Sequence, residues 1–151
     1  ILTQGGGTVA GRVDLGNATR TVTVTGAEPF LVSASVVSGG LRKSGEGTLV
    51  LSGTNTYSGG TRVEAGGLLL GGPEALGRGG VELRSGSLAM TGGLFRVRIV
   101  GDYAQKSGSR LTLRVGAEAD GLQIGGRAEL GGSLVLERAE GLRLRRGDRL
   151  G

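Results

Sequence analysis

The sequence holds no cysteine, no histidine and no tryptophan. Without thiols there is no disulfide framework, and without thiolate or imidazole there is no Cys/His metal site. A chain free of Cys suits passage through an oxidising space while unfolded, where an early disulfide would lock a loop. Proline falls to two residues and aromatics to 3%, namely Phe30, Phe95, Tyr57 and Tyr103. A globular core usually leans on large rings for burial, so an ordinary compact domain is disfavoured. Long hydrophobic runs are also missing. Runs such as Leu68-Leu69-Leu70 are far too short to span a bilayer, and no membrane insertion of this segment is expected. The chain opens without Met or a signal segment, which predicts a piece of a longer protein.

What is abundant is glycine, 34 of 151 residues. It does not recur at every third position, which excludes collagen. The aliphatic residues sit in short alternating runs, which argues against disorder. The net charge is +5 and comes almost wholly from Arg, with Lys only at Lys43 and Lys106.

Three glycine pairs, Gly39-Gly40, Gly59-Gly60 and Gly79-Gly80, recur at twenty-residue steps. In the second and third copies, Gly60 to Gly66 lies over Gly80 to Gly86, and Leu68-Leu69-Leu70 over Leu88-Ala89-Met90. The copy at Gly47 to Gly53 is out of step by about a residue. Ser133 to Leu136 mirrors Ser87 to Met90. Within each copy the period is two, as in Thr61-Arg62-Val63-Glu64-Ala65, Phe95-Arg96-Val97-Arg98-Ile99, Thr21 to Thr25 and Leu111 to Val115. Strands this short, parted by Gly-rich corners, suit an all-β, right-handed parallel β-helix, in which each rung pairs with the rungs above and below. About seven rungs spaced roughly 4.8 Å apart would make a rod roughly 35 Å long. The register predicts Arg62 beside Glu82 and Glu64 beside Arg84 on an outer face, with Val63 and Leu83 inside. The twenty-residue spacing is clean from Gly39 to Gly92 and lengthens after Val100.

The stretch from Gly39 to Leu70 carries Leu41-Arg-Lys43-Ser-Gly45-Glu-Gly47-Thr-Leu49-Val-Leu51-Ser-Gly53, then Asn55-Thr-Tyr57-Ser-Gly59-Gly-Thr61, then Ala65-Gly-Gly-Leu68. It closely resembles the passenger-associated transport repeat of bacterial autotransporters. Gly101-Asp102-Tyr103-Ala-Gln105, with Gly108 to Leu113 and Asp120 to Leu134, is similar to the autochaperone or junction segment at the pertactin-like stem end of such passengers. The resemblance implies two regions: a solenoid stem over 1–100, with the transport repeat at about 39–71, and C-terminal rungs over 101–151. It implies the membrane-proximal stem of a passenger, acting as scaffold and folding template at the outer-membrane surface or outside the cell. The implied partner is the protein's own C-terminal barrel, absent from this chain. The alternative is an adhesin or host-protein-binding segment of a virulence factor, with host surface or serum proteins as partners.

Sharper site readings compete with plainer ones. Arg146-Gly147-Asp148 spells an adhesion triplet, yet Gly-Asp before an apolar residue also suits a turn entering a strand. The Arg-rich tail, Arg138 to Arg149, is interrupted by Glu140 and Asp148 and lacks interleaved aromatics, so no nucleic-acid partner is expected. Gly5-Gly6-Gly7-Thr8 lacks a following helix pattern and is no dinucleotide loop. The thirteen acids are scattered, whereas hydrolytic β-helices need paired carboxylates or a carboxylate cluster on a metal. Lys43 and Ser44 adjoin in sequence, but neighbours on a strand point to opposite faces. No catalytic, cofactor or metal residues are therefore expected here. A separate catalytic domain in the parent protein stays open.

Overall fold

Alternation in runs of three to seven residues, broken by glycine, leaves each segment one apolar row to bury. Stacking like rows on one another buries them all. The computed structural model describes residues 2–3, 6–92, 95–115 and 121–138, and among these every regular element is a strand.

The first turn comprises β1 (Leu2–Thr3), β2 (Thr8–Val9) and β3 (Arg12–Asp14), and the second β4 (Thr19–Val24), β5 (Phe30–Val32) and β6 (Ser35–Val37). The third holds β7 (Gly40–Ser44) and β8 (Thr48–Leu51), and the fourth β9 (Thr61–Val63) and β10 (Gly67–Leu70). The fifth comprises β11 (Val81–Leu83), β12 (Gly86–Met90) and β13 (Arg96–Ile99), and the sixth β14 (Tyr103–Gln105), β15 (Ser109–Val115) and β16 (Gly121–Ile124). The chain then continues into β17 (Ala128–Leu130) and β18 (Ser133–Arg138).

All pairings are parallel. One seven-stranded sheet runs β1-β4-β7-β9-β11-β14-β17 and a second runs β2-β5-β8-β10-β12-β15-β18. Among the described residues the third face carries only β3-β6 at one end and β13-β16 at the other. The chain is thus a parallel β-solenoid of about six turns. It reaches back to Leu2, where the sequence offered only alternation.

The register follows the glycine spacing. Leu41, Thr61 and Val81 stack in one column, and Leu68, Leu69 and Leu70 face Leu88, Ala89 and Met90. The offset copy is explained by one corner. Lys43 stacks on Val63 while Leu49 stacks on Leu68, so the corner around Gly45-Glu46-Gly47 holds one residue more than the corner at Gly66. The column lengthens later, with Val81 on Tyr103 and Tyr103 on Ala128. The glycine pairs allow backbones to touch. Gly59 N–H donates to Gly39 O at 2.7 Å, and a Cβ on Gly39 would lie on the carbonyls of Gly16 and Ala18.

The core is a set of inward columns. One contains Leu49, Leu68, Leu88 and Leu111, and another Val63 and Leu83, all buried. Each such side chain contributes roughly 1.5–3 kcal/mol by leaving water. The last described rung differs: Leu130, Leu134 and Leu136 are exposed there.

Candidate functional site

The transport-repeat stretch places several polar residues inside the solenoid. In β7 the inward positions are Leu41 and Lys43 and the outward one is Arg42. Lys43 is 0% exposed. Its ammonium donates to Ser44 O at 2.8 Å, Gly45 O at 2.7 Å and Ala65 O at 3.0 Å. Those three acceptors match its three donors and bind the third turn's corner to the fourth. Burial pulls the Lys43 pKa below the ordinary lysine value, with the Glu46 carboxylate opposing. The Ser44 hydroxyl, by contrast, bonds to the Thr23 hydroxyl at 2.7 Å, so Lys43 and Ser44 form no nucleophile–base pair.

Asn55 and Tyr57 act where the third face has no strand. Asn55 Oδ1 accepts from Val36 N–H at 2.8 Å and its Nδ2 donates to Ala75 O, so one side chain clamps three successive turns. The buried Tyr57 and Thr61 hydroxyls bond at 2.7 Å, and burial pushes the Tyr57 phenol up. The Asn55 bonds satisfy interior main-chain groups that a strand ladder would otherwise pair, and the two hydroxyls satisfy each other. A similar network lies farther along. Tyr103 OH donates to Gln105 Oε1 at 3.3 Å, and Gln105 Nε2 donates to Ser109 O at 3.1 Å and Ser133 O at 3.0 Å. Burial pushes the Tyr103 pKa up to about 12.

On the outer face the expected charge pairs are present. Arg62 Nε lies 2.7 Å from Glu82 Oε2, and an Arg84 guanidinium nitrogen 3.9 Å from Glu64. Two contacts extend the network: Arg84 to Glu82 at 2.9 Å and Arg42 to Glu64 at 3.1 Å. The hydrogen bond from Arg84, then the charges of Arg62 and Arg84, lower the Glu82 pKa against its partial burial. Among the described residues no group of three or more acids could hold a metal ion. Arg146, Gly147 and Asp148 lie outside the described residues.

The interior roles of Lys43 and Asn55 escaped the sequence reading. The signal for Lys43 was the alternation itself, which puts it in line with Leu41. Asn55 carried no periodic signal, because its segment is not a strand.

Residues 41–70 match the family model described as passenger-associated-transport-repeat. No curated protein and no solved structure matches the chain. The matched span begins at Leu41 and ends at Leu70, so it holds Lys43, Asn55, Tyr57 and Thr61 together with two rungs of inward leucines. The chain is a parallel β-solenoid whose third and fourth turns carry a stretch similar to that repeat.

Proposed function

We propose that this segment is the membrane-proximal stem of its passenger, a rod that supports secretion and display and does no chemistry itself. The observation that carries the reading is where the polar side chains of the repeat are engaged. Lys43 and Asn55 bond neighbouring turns to one another, Tyr57 is tied to Thr61 four residues on, and Glu64 and Glu82 are held by arginines of adjacent rungs. Such residues fix register and stiffness. A cognate outer-membrane barrel is implied by the family, whose passenger repeats are secreted or surface-exposed.

On this reading the rungs after Val100 template the stem. In favour stands the ladder between β15 and β18, which pairs six consecutive residues from Arg110–Ser133 to Val115–Arg138. A long ladder is a good nucleus for sequential docking, because each later rung needs only contacts to its neighbour. Removing residues from Gly101 onward would bare the edges of β11 and β12, which pair with β14 and β15.

The test is that deletion in the parent protein. Surface protease accessibility and antibody labelling should fall to background while the barrel remains in the outer membrane. Display at the wild-type level would refute the proposal.

A further inference from the structure

The third face has a recess that the stem role does not use. Between β6 and β13 the segments around Thr54-Asn55-Thr56 and Pro73 to Arg78 form no strand. There the chain turns Tyr57, Ala75 and Leu76 into the core. The result is an open concavity of about 440 Å³ whose lining includes Thr54, Thr56, Arg78, Arg96, Arg98 and Glu74.

Its charge differs from that of the first sheet's outer face. On the first sheet Arg42, Arg62 and Arg84 are each neutralised by Glu64 or Glu82. Arg78, Arg96 and Arg98 are exposed, and none of them has an ion-pair partner among the described residues. Arg96 and Arg98 are two apart on one strand, so both project outward, roughly 7 Å from each other. Thr54 and Thr56 are likewise exposed, two apart, and line the same recess. Glu74 is the one described carboxylate in the lining.

We infer that this recess binds a saccharide bearing phosphate or sulfate groups. Guanidinium forks recognise such tetrahedral anions bidentately, and flanking hydroxyls and main-chain groups suit sugar hydroxyls. Three cations over one anion in an open trough fit a chain of spaced anionic groups better than a single buried ion. The anion can be a lipid-linked headgroup glycan or a free glycan, and the recess reads the same chemistry in both.

The test uses the 151-residue chain with a fluorescein-labelled heparin octasaccharide, and in a second arm vesicles containing lipopolysaccharide. The triple variant R78Q/R96Q/R98Q should weaken binding at least tenfold. R12Q/R110Q/R127Q removes the same charge elsewhere and should weaken it less than threefold. Unchanged thermal unfolding of both variants confirms that the solenoid persists, as expected for exposed side chains. The selective loss in the octasaccharide arm assigns the site to free glycans, and in the vesicle arm alone to lipid-linked ones. Equal loss in the two variants would reduce the effect to bulk charge and overturn the inference. So would an absence of binding in both arms, or equally tight binding of poly-glutamate through the same arginines.

Discussion

Arg62 and Glu82 are stacked register partners on adjacent turns, twenty residues apart, with Nε and Oε2 2.7 Å apart. Each is partly open to water, so the pair adds little to stability, about 0.2–1 kcal/mol. Its weight lies in register, since a one-residue slip would turn Val63 and Leu83 outward. R62E should therefore lose about 1 kcal/mol, because it sets a third carboxylate beside Glu64 and Glu82. The double exchange R62E/E82R should recover part of that loss. Urea unfolding at low salt measures both, and a double exchange no better than the single one would show that the pair is not coupled.

Lys43 makes a sharper case. K43M keeps most of the buried stem but removes the donor shared by the carbonyls of Ser44, Gly45 and Ala65. Hydrogen bonds to a charged donor are worth about 1.5–3 kcal/mol each, offset by no longer burying an ammonium. The net expectation is a loss of about 2 kcal/mol. K106M, at an exposed position, should stay within about 0.5 kcal/mol. Equal unfolding midpoints for the two variants would mean that the corner carbonyls find water instead.

The corners are separable by glycine position. Gly86 has φ +79°, and a Cβ there would lie on Gly66 O. Gly11 has φ +87° with open space around it. G11A should cost only the left-handed backbone penalty, about 1–2 kcal/mol. G86A adds a backbone clash between turns and should cost clearly more, with loss of the β10–β12 ladder. Hydrogen exchange at Leu68 and Leu88 reports on that ladder, and equal effects of the two variants would remove the stacking argument.

Much of the solenoid was readable because period-two alternation and glycine spacing both survive stacking. The pairs Arg62–Glu82 and Glu64–Arg84 follow from the twenty-residue step alone. The recess was not readable for the opposite reason. Arg78 lies in a segment with no strand period, and its meeting with Arg96 and Arg98 depends on where the third face loses its strands. Asn55 escaped for the same reason. Lys43 was readable in principle, but charge argues for solvent unless the carbonyl acceptors are known, and these lie on two different turns.

Alkaline titration tests the buried networks as a whole. The chain has two tyrosines, Tyr57 and Tyr103. Burial raises both phenol pKa values, that of Tyr103 to about 12. A raised phenol pKa means that the folded state holds its proton longer than the unfolded chain does. The stability it represents is whole below pH of about 10 and drains away up to about 12. Lys43 runs the other way. Its lowered pKa means that the unfolded chain holds the extra proton, so its contribution rises with pH and levels off above about 10.5. Above that point only the tyrosine slope among these three groups remains. Absorbance at 295 nm should therefore show little tyrosinate near pH 10 and a steep rise at higher pH that coincides with loss of the β-sheet circular dichroism signal. Y103F should flatten the fall in stability across that interval. Independent titration of both tyrosines near pH 10, with the sheet signal intact, would mean that the two phenols are not sealed inside the stack.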